Sequence, residues 1–160
     1  MLSCCVIMHA HIQEGRYCAT KGNDMNQEFN DIEDIRDFFT CDLFASEQLG
    51  AFVESYNYET GEAVTTLEIQ PHHLNGHGKV MGGVYFTLAD YALAVCCNVN
   101  QPPTSSVSSS INFMKECKGD VLVAIANPDR SGRRLGFYTI DVYDNLNNHC
   151  ARMTATCARV

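Results

Sequence analysis

Asp90 is the one charged residue in VYFTLADYALAVCCNV (residues 84–99), a run that is apolar almost all round. Removing a carboxylate from water costs several kcal/mol unless it is paired or protonated, so something must offset that cost. One reading makes Asp90 a local anchor that accepts hydrogen bonds from nearby Ser or Thr hydroxyls. The other makes it a general base or nucleophile whose acidity is tuned by burial.

The second chemical element lies just upstream. PHHLNGHGKVMGG (residues 71–83) is a loop with four glycines and three histidines, and it opens onto the apolar run. If that run is a helix, Gly82 and Gly83 sit where the first amide N–H groups have no partner within the helix. Two residues without side chains let a ligand approach those amides. The helix dipole adds partial positive charge there. A developing oxyanion needs both. The plainer alternative is a tight turn that requires glycine.

Spacing limits how the two elements can cooperate. Eight positions along a helix are ~12 Å at ~1.5 Å per residue. One carbonyl group cannot touch both Asp90 and the Gly82 amide of a single chain. A site that uses both must join two chains across a two-fold axis.

The remaining sequence supplies the elements that would hold such a site. Phe29, Ile32, Ile35, Phe38 and Phe39 recur at three- and four-residue spacing and predict a short amphipathic helix within residues 26–48. Asp31 is its candidate N-cap and Gly50 its stop. Ala51–Tyr58 and Ala63–Gln70 flank Glu59-Thr60-Gly61-Glu62 and read as a hairpin. Four more strands are predicted at Ser105–Met114, Asp120–Asn127, Arg134–Tyr143 and His149–Val160. Their short links imply an antiparallel meander, with its curved face covering a wholly buried helix at residues 84–99. Residues 1–24 show no sustained period and read as a poorly ordered extension, with one folded domain at 25–160.

Composition narrows the function classes. The chain has 160 residues, a net charge of −8, 46% hydrophobic and 19% charged residues. That fits one domain and excludes whole-chain disorder. No run of about 18 apolar residues is present, so neither a membrane span nor a membrane partner is expected. The acidic balance argues against nucleic acid as a partner. The charge is uneven: residues 1–114 hold 4 Lys/Arg and 14 Asp/Glu, whereas residues 115–160 hold 7 and 5. Arg130, Arg133 and Arg134 cluster in that last part, which is where an anion would bind if not merely a solvated turn. Nine cysteines without a C-x-x-C pair give no zinc pattern, so no metal is expected. The apolar stretch CCVIM is too short for a signal peptide and has no basic residue before it. A cytoplasmic protein with free, mostly buried thiols is the expectation.

LNGHGKVMGGVYFTLADYALAVCCN (residues 74–98) resembles the signature of the PaaI-like acyl-CoA thioesterases of the hotdog fold. That signature is a loop Asn, a His-Gly-Gly turn and Leu-Ala-Asp within the helix. The resemblance runs over roughly residues 31–160, in element order and in the Gly-Arg-Arg turn. It implies an α+β hotdog fold: an antiparallel sheet of about six strands around one long buried helix, with a short N-terminal helix. It implies hydrolysis of acyl-CoA by a homodimer, with a dimer of dimers as the next assembly, and no cofactor. Asp90 matches the catalytic carboxylate, and Gly82 matches the glycine whose amide polarises the thioester carbonyl. Asn75 matches the loop Asn that orients carboxylate or water across the dimer. Ser106 is the best match for a water-positioning hydroxyl, with Ser108 next and expected on the same strand face. Gly83 and His77 fall in the substrate-contacting loop. Met81 stands where relatives usually carry His, which implies a lower rate or altered acyl preference. His77, His72 and His73 otherwise read as solvated loop residues. Arg130 and Arg133 would suit the phosphates of coenzyme A. Two rival readings stand beside this one. A non-catalytic acyl-CoA-binding module would use Asp90 only as a structural acid. A hotdog dehydratase would pair its acid with a His, and that position here is Met81.

Overall fold

Asp31 opens the first helix, because its side chain accepts from the Glu33 and Asp34 amides, each at 3.0 Å. The computed structural model describes residues 28–160. The expectations for residues 1–24 and for a start at Met25 fall outside them. Helix α1 (Ile32–Phe39) buries Ile35 and Phe39. It ends at Thr40 rather than near Gly50. The Thr40 hydroxyl turns back onto the Asp37 carbonyl at 2.7 Å, and Thr, Cys and Asp are poor helix formers. A π-helical turn at Phe44–Gln48 follows. Gly50, with φ of +80°, then redirects the chain.

Strands β1 (Phe52–Tyr56) and β2 (Ala63–Glu68) form the predicted hairpin, with Ala63, Thr65 and Leu67 buried. A 3-10 turn at Pro71–His73 leads to helix α2 (Gly82–Asn98). The sheet continues with β3 (Thr104–Phe113), β4 (Val121–Ser131), β5 (Leu135–Asp144) and β6 (His149–Arg159). The six strands are antiparallel in the order β1-β2-β4-β5-β6-β3.

That order corrects the expected meander. β3 does not pair with β4; it closes the far edge beside β6. The link must therefore pass three strand spacings, ~14 Å at ~4.8 Å each. Residues 114–120 can span ~23 Å when extended, so a short link suffices to cross rather than turn. Two anchors hold it over the ends of β5 and β6. The Met114 and Lys115 amides donate to the Cys150 carbonyl at 2.8 and 3.2 Å. The buried Asp144 carboxylate accepts from the Lys118, Gly119, Leu146 and Asn148 amides and from the Asn148 side chain.

Burial alone would raise the Asp144 pKa, but these donors outweigh it and hold the carboxyl far below the ordinary range. A depressed folded pKa means the stabilisation is complete at pH 7. It fades as pH falls below about 4, the unfolded value, towards the folded one. Asp144→Ala should destabilise the protein by about 2–4 kcal/mol, because it leaves several buried amides unpaired. Thermal melting at pH 7 should show a drop of about 5–10 °C. An unchanged melting temperature would mean that the crossing is held by other contacts.

Helix α2 lies on the concave face of the sheet and buries Leu88, Ala89, Ala92, Leu93 and Val95. It is not wholly buried. Gly83, Thr87, Asp90, Ala94 and Asn98 follow one another at helical spacing, and this chain's own sheet leaves that stripe open. Composition records that a helix is apolar, but not how much of it one sheet can cover.

The two sheet edges differ. On β1, the Arg36 guanidinium of α1 donates to the Val53 and Glu54 carbonyls at 2.9 and 3.0 Å, so that edge is occupied. On β3, TSSVSSSINF contains no charge and no proline, and Val107 and Phe113 are 61% and 57% exposed. An unprotected edge of ten residues is a ready surface for another strand.

Candidate active site

Helix α2 begins without a side-chain cap. Met81 holds the N-cap position, and the Val84 amide donates to its carbonyl at 2.9 Å. The Gly82 and Gly83 amides find no acceptor among the described residues. Gly82 lines a cleft of about 420 Å³ with Val80, Tyr85, Phe113 and Met114, and Lys79, Lys115 and Glu116 stand around it. Gly82 is needed for closeness, since a Cβ there would stand 3.1 Å from Phe113 Cζ. The Met81 methyl group covers Gly83, where a Cβ would come within 2.8 Å of it.

The loop before the helix is held from within. Asn75 Oδ1 accepts from the His77 and Lys79 amides at 2.9 and 3.2 Å, and Leu74 bridges to Val80. Asn75 therefore spends its carbonyl oxygen on the loop, and its Nδ2 is left for an outside acceptor. His77 is exposed at the tip and His72 is exposed beside it. His73 departs from the expectation of a solvated residue. It is 2% exposed, its Nδ1 accepts from the Gln70 amide at 3.0 Å, and its carbonyl receives the Met81 amide at 2.9 Å. Burial lowers its pKa and keeps it neutral, as an Nδ1 acceptor must be. The pattern PHH hid this because Pro71 starts a turn that swings one of two adjacent histidines inward.

Asp90 sits in a different place, in a cavity of about 250 Å³ with Leu93, Cys97, Ser105, Ser106 and Cys157. Its carboxylate makes no hydrogen bond or ion pair among the described residues. Burial, and then the charge of nearby Asp42, push its pKa above the ordinary carboxylate range. The hydroxyl-anchored arrangement that the sequence left open is absent from this geometry. Asp42, in the turn after α1, is a neighbour that no sequence spacing revealed.

The two serines separate. β3 carries a bulge against β6, so that Ser106 pairs with Cys157 but Ser108 pairs with Thr156. Opposed residues share a sheet face, so Ser106 lies on the helix side with buried Cys157, and Ser108 lies on the outer side. The expectation of a common face fails because one extra residue, Val107, shifts the alternation.

Arg130, Arg133 and Arg134 are all exposed, and none makes an ion pair among the described residues. Arg130 belongs to β4, opposite Phe137, and only Arg133 and Arg134 lie in the turn. The turn adjoins the start of β3: Arg159, on β6, donates to Ser131 Oγ at 2.6 Å and Thr104 Oγ1 at 2.9 Å. The arginines thus stand at the Asp90 end of the sheet. Cys117, Asp144 and Cys150 approach one another closely enough to suggest a metal set. The Asp144 oxygens are already taken by the amides of the crossing link, which disqualifies that set.

A profile of the thioesterase superfamily matches residues 77–151. Acyl-coenzyme A thioesterase PaaI of Escherichia coli is 32% identical over 109 residues, covering 68% of this chain and 78% of that protein. The chain belongs to the PaaI-like thioesterases. The solved structure of E. coli PaaI superposes on this thioesterase with a TM-score of 0.67 at 29% identity, covering 72% of this chain and 83% of that chain. A variant of PaaI from Thermus thermophilus gives a TM-score of 0.66 at 28% identity, covering 72% and 97%. The hotdog fold is thereby established for this thioesterase, as is its class of reaction, thioester hydrolysis. No helix among the described residues is long and apolar enough to cross a membrane.

Proposed function

We propose that this thioesterase hydrolyses acyl-CoA at a site shared by two copies of the chain, with Asp90 from one and Gly82 from the other. One observation carries the reading. α2 runs antiparallel to the bare edge strand β3, so Gly82 packs against Phe113 at one end of β3. The Asp90 cavity takes in Ser105 and Ser106 at the other end. Pairing two β3 edges antiparallel about their midpoint sets the beginning of each strand beside the end of its partner. The Asp90 cavity of one chain then meets the Gly82 cleft of the next. It also covers the open stripe of α2.

In this site the thioester carbonyl accepts from the partner subunit's Gly82 amide, where charge develops in the transition state. Asp90 attacks the carbonyl carbon or takes the proton of an attacking water, and the coenzyme A thiolate leaves. Ser106, in the same cavity as Asp90, is the hydroxyl assigned to hold the water. The Asn75 Nδ2 is the group left to reach across the interface. The non-catalytic reading needs Asp90 to be a structural acid, and its lack of a hydrogen-bond or ion-pair partner among the described residues speaks against that. PaaI of E. coli is named an acyl-coenzyme A thioesterase, which supports the substrate class.

The reading is tested by diluting the protein while following loss of the thioester bond. Activity per chain should fall together with the dimer fraction measured by sedimentation. A fully active monomer would overturn it.

Arg130 and Arg133 are proposed to meet the phosphates of coenzyme A. Each Arg→Ala change should raise KM roughly threefold to fivefold, the size of about 1 kcal/mol at an exposed charged contact. kcat should hold, because binding shared by ground and transition states appears in KM. Steady-state kinetics on acyl-CoA and on a short thioester lacking the nucleotide make the check. Equal damage towards both substrates would place these arginines in a structural role.

A further inference from the structure

The Asp90 cavity contains two thiols that the hydrolytic mechanism does not use. Cys97 lies on α2, two helical turns beyond Asp90 and on the same side, and Cys157 lies on β6 opposite Ser106. Both line the cavity and both are buried, at 3% and 0% exposure. The Cys97 thiol reaches the Ala94 carbonyl at 3.8 Å, and it faces Cys157 across the same cavity closely enough for the acidities of the two thiols to be linked. Asn98 Nδ2 also reaches Cys97 Sγ, at 3.2 Å, and fixes its position.

We propose that Cys97 and Cys157 form a modification site inside the Asp90 cavity: a dithiol that a hydroperoxide oxidises to a disulfide between α2 and β6, closing the cavity to substrate. The inhibitory part rests on the catalytic reading of Asp90; the thiol chemistry does not.

The roles of the two sulfurs differ. The neighbouring Cys97 thiol, and less strongly the Arg159 cation, lower the Cys157 pKa against the opposing effects of burial and Asp90. The same interaction, with burial, raises that of Cys97. Cys157 is thus the thiolate-forming member and Cys97 the resolving one. The Cys157 thiolate attacks one peroxide oxygen, the O–O bond breaks, and the other oxygen leaves and is protonated to an alcohol or water. Cys157 becomes a sulfenic acid. The Cys97 sulfur then attacks the Cys157 sulfur and expels hydroxide, which takes the Cys97 proton and leaves as water. The two thiols lose two electrons and the peroxide gains them. The sulfurs close to ~2.05 Å, which draws α2 towards β6 beside Asp90.

The test is treatment of the dimeric protein with hydrogen peroxide or cumene hydroperoxide, followed by blocking of remaining thiols and peptide mapping by mass spectrometry. A Cys97–Cys157 disulfide should form, and kcat/KM should fall roughly 10–100-fold, the size expected for a site displaced by about 1 Å. Dithiothreitol should restore it. Cys96→Ala, at the neighbouring position, should still form the bridge. Cys97→Ala and Cys157→Ala should each lack it and keep their own untreated activity after peroxide; two variants are used in case one does not fold. Asp90→Asn should form the bridge at least as readily, since the carboxylate that opposes the Cys157 thiolate is gone, which separates the thiol chemistry from catalysis. Absence of this disulfide, or a disulfide with undiminished turnover in a protein whose Asp90→Asn variant is inactive, overturns the proposal.

Discussion

Asp90→Asn should fold and dimerise like the wild type and lose about 100-fold or more of kcat, the scale of a lost general base or nucleophile. Asn is nearly isosteric, but it can neither attack as a carboxylate nor hold the proton of an attacking water. The folded environment supports a clean test. Burial and the charge of Asp42 raise the Asp90 pKa, so the ionised form is disfavoured in the native state. A group with a raised folded pKa contributes most to stability below its unfolded value and loses that contribution as pH rises through the folded one. At neutral pH the ionised Asp90 therefore opposes folding. Asp90→Asn should melt at the wild-type temperature or above it, while activity collapses. The same shift fixes the pH profile. The acid limb of kcat should lie above the ordinary carboxylate pKa of about 3.9, and Asp42→Asn should move it to lower pH by removing a like charge. Wild-type turnover in Asp90→Asn would end the catalytic assignment and favour the acyl-CoA-binding module.

Complementation between two defective chains should be as decisive. Asp90→Asn supplies one parent and Gly82→Val the other. A branched side chain at Gly82 blocks approach to the amide, and it must also displace the Phe113 ring, 3.1 Å from the position of a Cβ. That ring is 57% exposed on its own chain and can turn aside from Tyr85, so the variant should fold. Each parent homodimer should be nearly inactive. In a mixed dimer, one site combines an intact Asp90 with the partner subunit's intact Gly82, and the other carries both defects. Random mixing puts about half of the dimers in the mixed class, so roughly a quarter of all sites should recover. The readout is acyl-CoA hydrolysis after joint unfolding and refolding, with heterodimers counted by native mass spectrometry. Heterodimers without recovered activity would mean that Asp90 and Gly82 do not share a site.

Much of this was legible in the residues themselves. The alternation of Ala63, Thr65 and Leu67, the Asp31 cap and the apolar run from Val84 to Val99 follow from local periods, which a linear chain displays directly. Gly82 stands eight positions before the lone carboxylate in that run, so any site that used both would need two chains, because helical rise is a property of the backbone alone. The resemblance of residues 74–98 to the PaaI-like signature supplied the chemistry.

Other features depend on groups that are distant in the chain and meet only when it folds. β3 crosses to the far edge because Asp144 and Cys150, from later strands, hold the link that joins it to β4. One bulge opposite β6 turns Ser106 inward and Ser108 outward. His73 is buried although its neighbour His72 is not. Asp42 approaches Asp90, and Cys157 approaches Cys97, across segments that share no local pattern. The sequence determined which elements form and which faces they bury, since those depend on neighbours one turn or two residues away. Which edge stays bare, and what gathers around Asp90, depended on long-range pairing energies that no single segment carries.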